Sequence, residues 1–465
     1  MDLELHHKQG VAFLSKATEI LYGGAAGGGK SHLMRVAALC WCVAVPGLQV
    51  YLFRRTRPEL LKNHMEGPTG FPALLAKWIQ SRLVKINYSE LTIEFKNGSK
   101  IFLCHCQYKK DLSNYQGTEI HVLLMDELTH FIEDIYRFLR GRVRLGGLKV
   151  PIQYRGMFPR ILCGSNPGSI GHNWVKLAFV DACPPMQILQ MPKAEGGMYR
   201  QFIPALLEDN PTLNENDPDY ELRLEGLGHP ELVRAMRRGD WDIVAGGMFD
   251  DLWKRDTHVI EPFEIPKSWH VDRSFDWGSS KPFSVLWWAE TDGTEAVMAN
   301  DIVRGFPKGT IFLINEWYGW NGRANEGLKM LAVDVAKRIK TIDDESRFKV
   351  KPGPADNSIY DAENGVSIAE DMRKAGVAWT RSDKSPGSRK TGWERIRRML
   401  KASTTQPMEE PGLFVFNTCV QWIRTVPVLS RDQNHSDDVD TLSEDHAGDS
   451  SRYRLMNSKQ SVKFF

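Results

Sequence analysis

Short apolar runs that end in glycine or in acidic residues recur along the chain, and between them lie segments with an apolar residue every three or four positions. That alternation predicts strands feeding helices, an α/β protein. Glu19 to Tyr22 reads as a short buried strand, and Ser31 to Val45 as a helix with Leu33, Val36, Leu39, Cys40 and Val43 on its apolar face, stopped by Pro46-Gly47. Gln49 to Phe53, Val122 to Met125 and Arg160 to Gly164 read as further strands, and Leu91 to Phe95 with Lys100 to Cys104 as a hairpin turned by Asn97-Gly98. A second α/β run has strands over His270 to Phe275, Phe283 to Glu290 and Thr310 to Trp317, a helix from Ala324 to Ile339, and a strand ending at Ala355. A further helix is expected to start at His435 to Asp440, with Ser436 or Asp437 as its cap. Tyr199 to Phe249, punctuated by Asp209-Asn210-Pro211, Asn216-Asp217-Pro218 and Gly239-Asp240-Trp241, reads as a small, mostly helical lid, and Pro262 and Pro266 stiffen a linker. The expected division is a core over 1–198, a lid over 199–249, a linker over 250–268, a second domain over 269–449 and a polar, basic tail over 450–465.

The first strand and helix are joined by Gly24-Ala25-Ala26-Gly27-Gly28-Gly29-Lys30-Ser31, which fits the phosphate-loop pattern G-x-x-x-x-G-K-[ST] in its required setting of strand, loop, helix. Glycines at 24, 27, 28 and 29 let backbone N–H groups turn inward around phosphate oxygens, and the helix start adds its positive dipole end. Lys30 would reach the β and γ phosphates of ATP, and Ser31 would hold Mg²⁺. The apolar run at Val122 delivers Asp126 and Glu127 to the same end of a parallel sheet, Asp126 to hold Mg²⁺ through water and Glu127 to orient and deprotonate the attacking water. Asn166, after the third strand, would sense the γ phosphate, and Gln9 is a candidate for hydrogen bonding adenine. The arginine that neutralises developing phosphate charge is sought among Arg54, Arg55, Arg142 and Arg144.

The second run presents carboxylates at two strand ends and a helix start: Asp276, Asp356 and the pair Asp437/Asp438, with Asp440 or Glu316 as further candidates. Converging carboxylates are what two-metal phosphodiester cleavage requires, holding two Mg²⁺ or Mn²⁺ about 4 Å apart. Lys384, Arg389, Lys390, Arg395, Arg397, Arg398 and Lys401, with Trp393 among them, form a basic stretch suited to a DNA backbone.

Composition narrows the picture. The 465 residues suit two or three domains, and 60 lysines and arginines against 58 acids leave a formal charge of +2, so any nucleic-acid footprint must be local. No apolar stretch reaches membrane-spanning length, and Met1-Asp2-Leu3-Glu4 lacks the layout of a signal peptide. The seven cysteines lie mostly in apolar segments and read as reduced core residues; Cys104-His105-Cys106 lacks a second ligand pair at zinc spacing.

Taken in order, Gly24 to Ser31, Phe53-Arg54-Arg55-Thr56, Met125-Asp126-Glu127, Gly164-Ser165-Asn166-Pro167, Asp209-Asn210-Pro211, Gly239-Asp240-Trp241, Asp276-Trp277-Gly278, Asp356 and Asp437-Asp438 resemble the large terminase subunits of tailed bacteriophages over nearly the whole chain. The resemblance implies an N-terminal P-loop ATPase of RecA/ASCE-like fold with a helical lid and a C-terminal RNase H-like nuclease. It further implies an ATP-driven motor that moves double-stranded viral DNA through a portal protein into a procapsid and cuts concatemeric DNA, acting with a small terminase subunit as a homo-oligomeric ring. The implied location is the host cytoplasm, transiently docked on the procapsid. A helicase or repair translocase without nuclease activity and an ATP-switched capsid assembly component remain the alternatives.

Overall fold

The computed structural model describes residues 3–226, 233, 237–241, 246–363, 365–432 and 435–457. They form two compact units, Met1–Ala245 and Gly246–Phe465, and both are α/β as the alternation predicts.

In the first unit β1 (Glu19–Gly24), β2 (Gln49–Arg54), β5 (Lys100–His105), β6 (Val122–Asp126), β7 (Arg160–Ser165) and β9 (Tyr199–Ala205) run parallel, while β3 (Val84–Asn87), β4 (Thr92–Phe95) and β8 (Ile188–Gln190) are antiparallel additions at the edges. The order is β3-β4-β5-β2-β6-β7-β1-β9-β8. Helices cover both faces of a parallel sheet, so β1, β6 and β7 are buried along their whole length and read as continuous apolar runs rather than alternating ones. The register sets Gly23 beside Ser165 and Asp126 beside Gly164, bringing the ends of β1, β7 and β6 to one edge. The helix Lys30–Ala44 packs Leu33, Ala37, Leu39 and Trp41 into the core beneath that edge.

Three expected boundaries are corrected. Tyr199–Ala205 is no part of a lid: it pairs with β1 from Glu19↔Arg200 to Gly24↔Ala205. Its charged start disguised the strand, because Arg200 is buried by donating to the equally buried Glu19 on β1 at 2.6 Å. The expected linker is also structured. β10 (Val259–Ile260) joins the second sheet and Phe263 and Ile265 are buried in that unit's core. The expected tail begins inside the helix His446–Met456, whose polar residues are buried because each has a partner: Arg454 pairs with Asp272 at 2.6 Å and Glu290 at 2.7 Å, and Ser451 accepts from Trp422 Nε1 at 2.8 Å. Residues 458–465 lie outside the described residues.

The second unit has one main sheet, β10-β20-β15-β12-β11-β16-β19, made with β11 (His270–Asp276), β12 (Ser284–Glu290), β15 (Ile311–Tyr318), β16 (Pro354–Ala355), β19 (Thr380–Arg381) and β20 (Leu413–Phe416). Two small hairpins, β13 (Ala296–Val297) with β14 (Val303–Arg304) and β17 (Ala362–Glu363) with β18 (Val366–Ser367), flank it. β11, β12 and β15 are joined by antiparallel pairing, while β16 and β19 run parallel to β11, which is the order expected of an RNase H-like domain. Alternation on β12 sends Leu286 and Trp288 to the core shared with Trp393, Ile396 and Leu400, and Val285 and Trp287 to the one shared with Val335, Ile339 and Met372. The helix expected from Ala324 begins instead at Ala332 and runs to Glu345. Gly327 is pressed against backbone, where a Cβ would lie 2.2 Å from Lys281 O, so the preceding residues form a packed turn.

Candidate active sites

In the first unit the loop between β1 and its helix closes on itself. Gly27 and Gly29 have φ of 77° and 74°, a left-handed backbone that glycine adopts without steric cost. Tyr22 donates its hydroxyl to Gly28 O at 3.1 Å, and Asn210 Nδ2 donates to Gly27 O at 2.6 Å. Leu207, Leu213 and Tyr220 crowd Gly27, where an added Cβ would approach each within 3.1 Å, and a Cβ on Gly239 would lie 2.5 Å from Gly24 C. Two of the three punctuating motifs of the expected lid, at Asn210 and Gly239, therefore brace the loop directly.

Lys30 is buried and donates to Ala25 O at 2.7 Å and Asn166 Oδ1 at 2.6 Å. Burial lowers its pKa, against the raising fields of Glu127 and Asp126. Asp126 is fully buried, and burial alone would raise its pKa, but His64 and Arg54 outweigh that and hold the carboxyl well below the usual carboxylate range. Its Oδ2 accepts from Arg54 Nε at 2.9 Å, His64 Nε2 at 2.9 Å and Ser31 Oγ at 3.1 Å. An ionised carboxylate beside a hydroxyl is a hard-oxygen donor pair, so Ser31 and Asp126 fit Mg²⁺. Glu127 follows at φ 56°, uncommon for a residue with a side chain, and its carboxylate lies in the field of Lys30 and His130. Gln9 is buried, with Nε2 on Gly29 O at 2.9 Å and Oε1 accepting from His6 N at 2.9 Å, so its amide braces the loop. Of the arginine candidates, Arg54 is tied to Asp126, and Arg144 donates to Gly117 O at 3.4 Å. Asn210 was visible beforehand as part of a motif; His64 was not, because a lone histidine at the end of a polar helix carries no pattern.

In the second unit, register places Phe275 beside Ala355, so Asp276 and Asp356 emerge together at the ends of β11 and β16. Asp276 Oδ2 meets His446 Nδ1 at 3.1 Å, and Tyr453 donates to Asp276 Oδ1 at 3.4 Å. Lys384 Nζ lies 3.2 Å from Asp356 Oδ1 and donates to Tyr453 at 3.1 Å. Burial pushes Asp276 up to about 6, against His446, with Asp449 and Asp356 adding to the rise. Asp445 is pushed up to about 7 by burial and then by Asp449. The acids gathered at Asp276 are thus Asp356, Asp445 and Asp449.

The expected third acid, the pair Asp437/Asp438, is not among these. Asp437 is exposed, its side chain 77% accessible, with Lys390 at 3.9 Å. Asp438 Oδ1 accepts from Arg389 at 2.7 Å, Trp393 Nε1 at 2.9 Å and Val439 N at 2.7 Å, a structural role for an acid in a turn rather than at a helix start. The helix begins instead at His446, and Asp445 and Asp449 stand one turn apart, a spacing readable in Asp445-His446-Ala447-Gly448-Asp449. Among the described residues no group of three or more acids, histidines or cysteines is arranged at metal-holding geometry. Their charges are countered by protein cations: Arg389 reaches Asp445 at 3.1 Å and Asp449 at 3.0 Å. As hard oxygen donors, Asp276, Asp356, Asp445 and Asp449 fit divalent cations chemically.

The same contacts shrink the basic stretch. Arg389 is committed to carboxylates, Arg397 to Asp251 at 2.6 Å and Arg395 to Leu455 O at 2.7 Å, and Trp393 is core. Lys390, Arg398 and Lys401 remain on the surface. Asp440 Oδ1 accepts from Leu442 N at 2.9 Å in a turn. Glu316 caps the helix Val420–Thr425, accepting from Gln421 N at 2.5 Å and Trp422 N at 2.8 Å. Burial pushes Glu316 up to about 7 from an ordinary 4.5. The folded state then holds its proton more tightly than the unfolded chain, so this group's contribution falls as pH rises from about 4.5 to about 7. Thermal melting across that window should show a shallower decline for Glu316→Gln than for the unaltered protein; parallel curves would refute the assignment.

A unit with a phosphate-loop site followed by an acid-bearing unit with RNase H-like strand order is the class these two sites define. Residues 15–216 match the family model described as phage terminase large subunit. Over this segment the chain is similar to that family, in agreement with the resemblance seen in the sequence. No curated protein shows a significant match. Among solved structures, the chain is similar to the large terminase of a thermophilic bacteriophage in complex with ADP, at 15% identity and TM-score 0.40, covering 98% of this chain and 99% of that one. The HK97 bacteriophage large terminase is similar at 11% identity and TM-score 0.45, with 97% and 95% covered. The P22 large terminase nuclease domain is similar at 18% identity and TM-score 0.33 over 46% of this chain and 92% of that one.

Proposed function

We propose that the chain is an ATP-driven DNA-packaging motor subunit that also cleaves DNA. The observation that carries the reading is the constellation at one sheet edge, where Lys30, Ser31 and Asp126 converge on the phosphate loop and Asn166 accepts from Lys30 at 2.6 Å. Lys30 holds the β and γ phosphates, Asp126 and Ser31 hold Mg²⁺, and Glu127 takes the proton of the attacking water. Bound Mg²⁺ supplies charge neutralisation on the phosphate oxygens. Asn166 shares Lys30 with the phosphates and connects through its carbonyl, which accepts from Thr129 Oγ1 at 3.2 Å, to the segment after Glu127. In the second unit Asp276, Asp356, Asp445 and Asp449 hold two Mg²⁺ or Mn²⁺ for phosphodiester hydrolysis, with His446 and Tyr453 fixing Asp276. The partners of this reading are double-stranded DNA, a portal protein and a small terminase subunit, in a ring docked on a procapsid in the host cytoplasm.

Phosphate release from ATP with and without linear double-stranded DNA, beside plasmid cleavage in Mn²⁺, tests it. DNA-stimulated turnover with cleavage is expected. Turnover without cleavage would replace the reading by a helicase or repair translocase, and nucleotide retention without turnover by an ATP-switched assembly component.

A further inference from the structure

Asp126 is reached by a histidine that no part of the phosphate-loop chemistry requires. His64, the last residue of the helix Arg57–His64, is fully buried and places Nε2 2.9 Å from Asp126 Oδ2. Its other ring nitrogen, Nδ1, lies 3.5 Å from Arg35 Nη1, and the same Arg35 atom donates to Asn63 O at 2.9 Å. A guanidinium has no lone pair to offer, so Nδ1 is the acceptor and Nε2 carries the proton toward Asp126. Arg35 belongs to the helix that starts at Lys30, and Asp126 ends β6. Three elements are thus tied through one imidazole: the phosphate-loop helix, the helix after β2, and the acid-bearing strand.

We propose that His64 is a positioning residue for the metal site, fixing the rotamer of Asp126 by occupying Oδ2 and so leaving Oδ1 as the oxygen turned to Mg²⁺ and its water shell. Arg54 Nε and Ser31 Oγ also meet Oδ2, at 2.9 and 3.1 Å, whereas Ser31 lies 3.3 Å from Oδ1, so Oδ2 carries the structural load. A hydrogen bond from outside the ligand set that orients a ligand is worth about 10–100-fold in metal affinity. The proposal rests on reading the first unit as a magnesium-dependent ATPase.

The test uses the full chain and the fluorescent nucleotide MANT-ADP, titrated in EDTA and across a Mg²⁺ series. His64→Asn keeps a polar group near Arg35 but is too short to reach Asp126, whereas His64→Gln places an amide donor near the Nε2 position. His64→Asn should bind MANT-ADP in EDTA as the unaltered protein does, yet need about tenfold more Mg²⁺ for the metal-dependent gain in affinity. His64→Gln should recover most of that loss. An unchanged Mg²⁺ midpoint in His64→Asn overturns the proposal, as does equal loss in both variants, which would make His64 a packing residue. If the unaltered protein shows no nucleotide binding at all, the ATPase reading fails first, and the two failures are told apart.

Discussion

Glu127→Gln is expected to bind ATP as tightly as the unaltered protein and to hydrolyse it at about a thousandth of the rate, within the 10²–10⁴-fold range of a lost general base. The amide keeps the size of the carboxylate and much of its hydrogen bonding but cannot take a proton from water. Lys30→Ala should fail differently. Lys30 is a buried cation held by Ala25 O and Asn166 Oδ1, so its removal withdraws the charge that faces the phosphates and leaves two acceptors without their donor. Nucleotide affinity should fall by about tenfold or more, and turnover with it. Equilibrium binding of a slowly hydrolysed ATP analogue, beside steady-state phosphate release, separates the two variants. Near-normal turnover by Glu127→Gln would remove it from the role of base and direct attention to another group within the field of Lys30.

The nucleotide site was legible because its residues are contiguous or end apolar runs. A glycine loop declares its backbone requirement, and a strand that stops at Asp126 announces the edge of a parallel sheet. Local periodicity says nothing about which distant polar residue returns to that edge, so His64 and Arg35 stayed hidden although both are buried within the site. The strand Tyr199–Ala205 and the helix His446–Met456 were missed for a related reason. Arg200, Arg452 and Arg454 look like surface residues in sequence, but carboxylates at Glu19, Asp449 and Asp272 neutralise them inside. In the second unit the same blindness favoured a different candidate for the third acid. Asp437-Asp438 presents adjacent charges and a plausible cap, while Asp445 and Asp449 gain meaning only from a helix that packs over the end of β11.

Asp449→Asn is therefore expected to abolish DNA cleavage, and Asp437→Asn to leave it within about twofold of the unaltered protein. Burial raises Asp276 to about 6 and the charges of Asp449 and Asp356 add to that rise, whereas the Asp437 side chain is 77% exposed beside Lys390. Removing one anion from a set that would offset two divalent ions should withdraw several kcal/mol of the stabilisation such ions would give a reacting phosphate, about a thousandfold in rate. Asparagine preserves the side-chain shape, and it keeps an oxygen for Arg389 and Arg452, both of which Asp449 holds, at 3.0 and 3.1 Å. Its melting temperature should accordingly remain close to that of the unaltered protein, and a large drop would mark the loss as unfolding. Asp276→Asn should lose cleavage to the same degree while ATP turnover in the first unit persists, because Ser31 and Asp126 belong to that other unit. Nicking of supercoiled plasmid in Mn²⁺ decides between the acids: loss on Asp437→Asn with retention on Asp449→Asn would restore the turn at Asp437-Asp438 as the third corner of the site, and loss on Asp449→Asn alone places that corner on the helix His446–Met456.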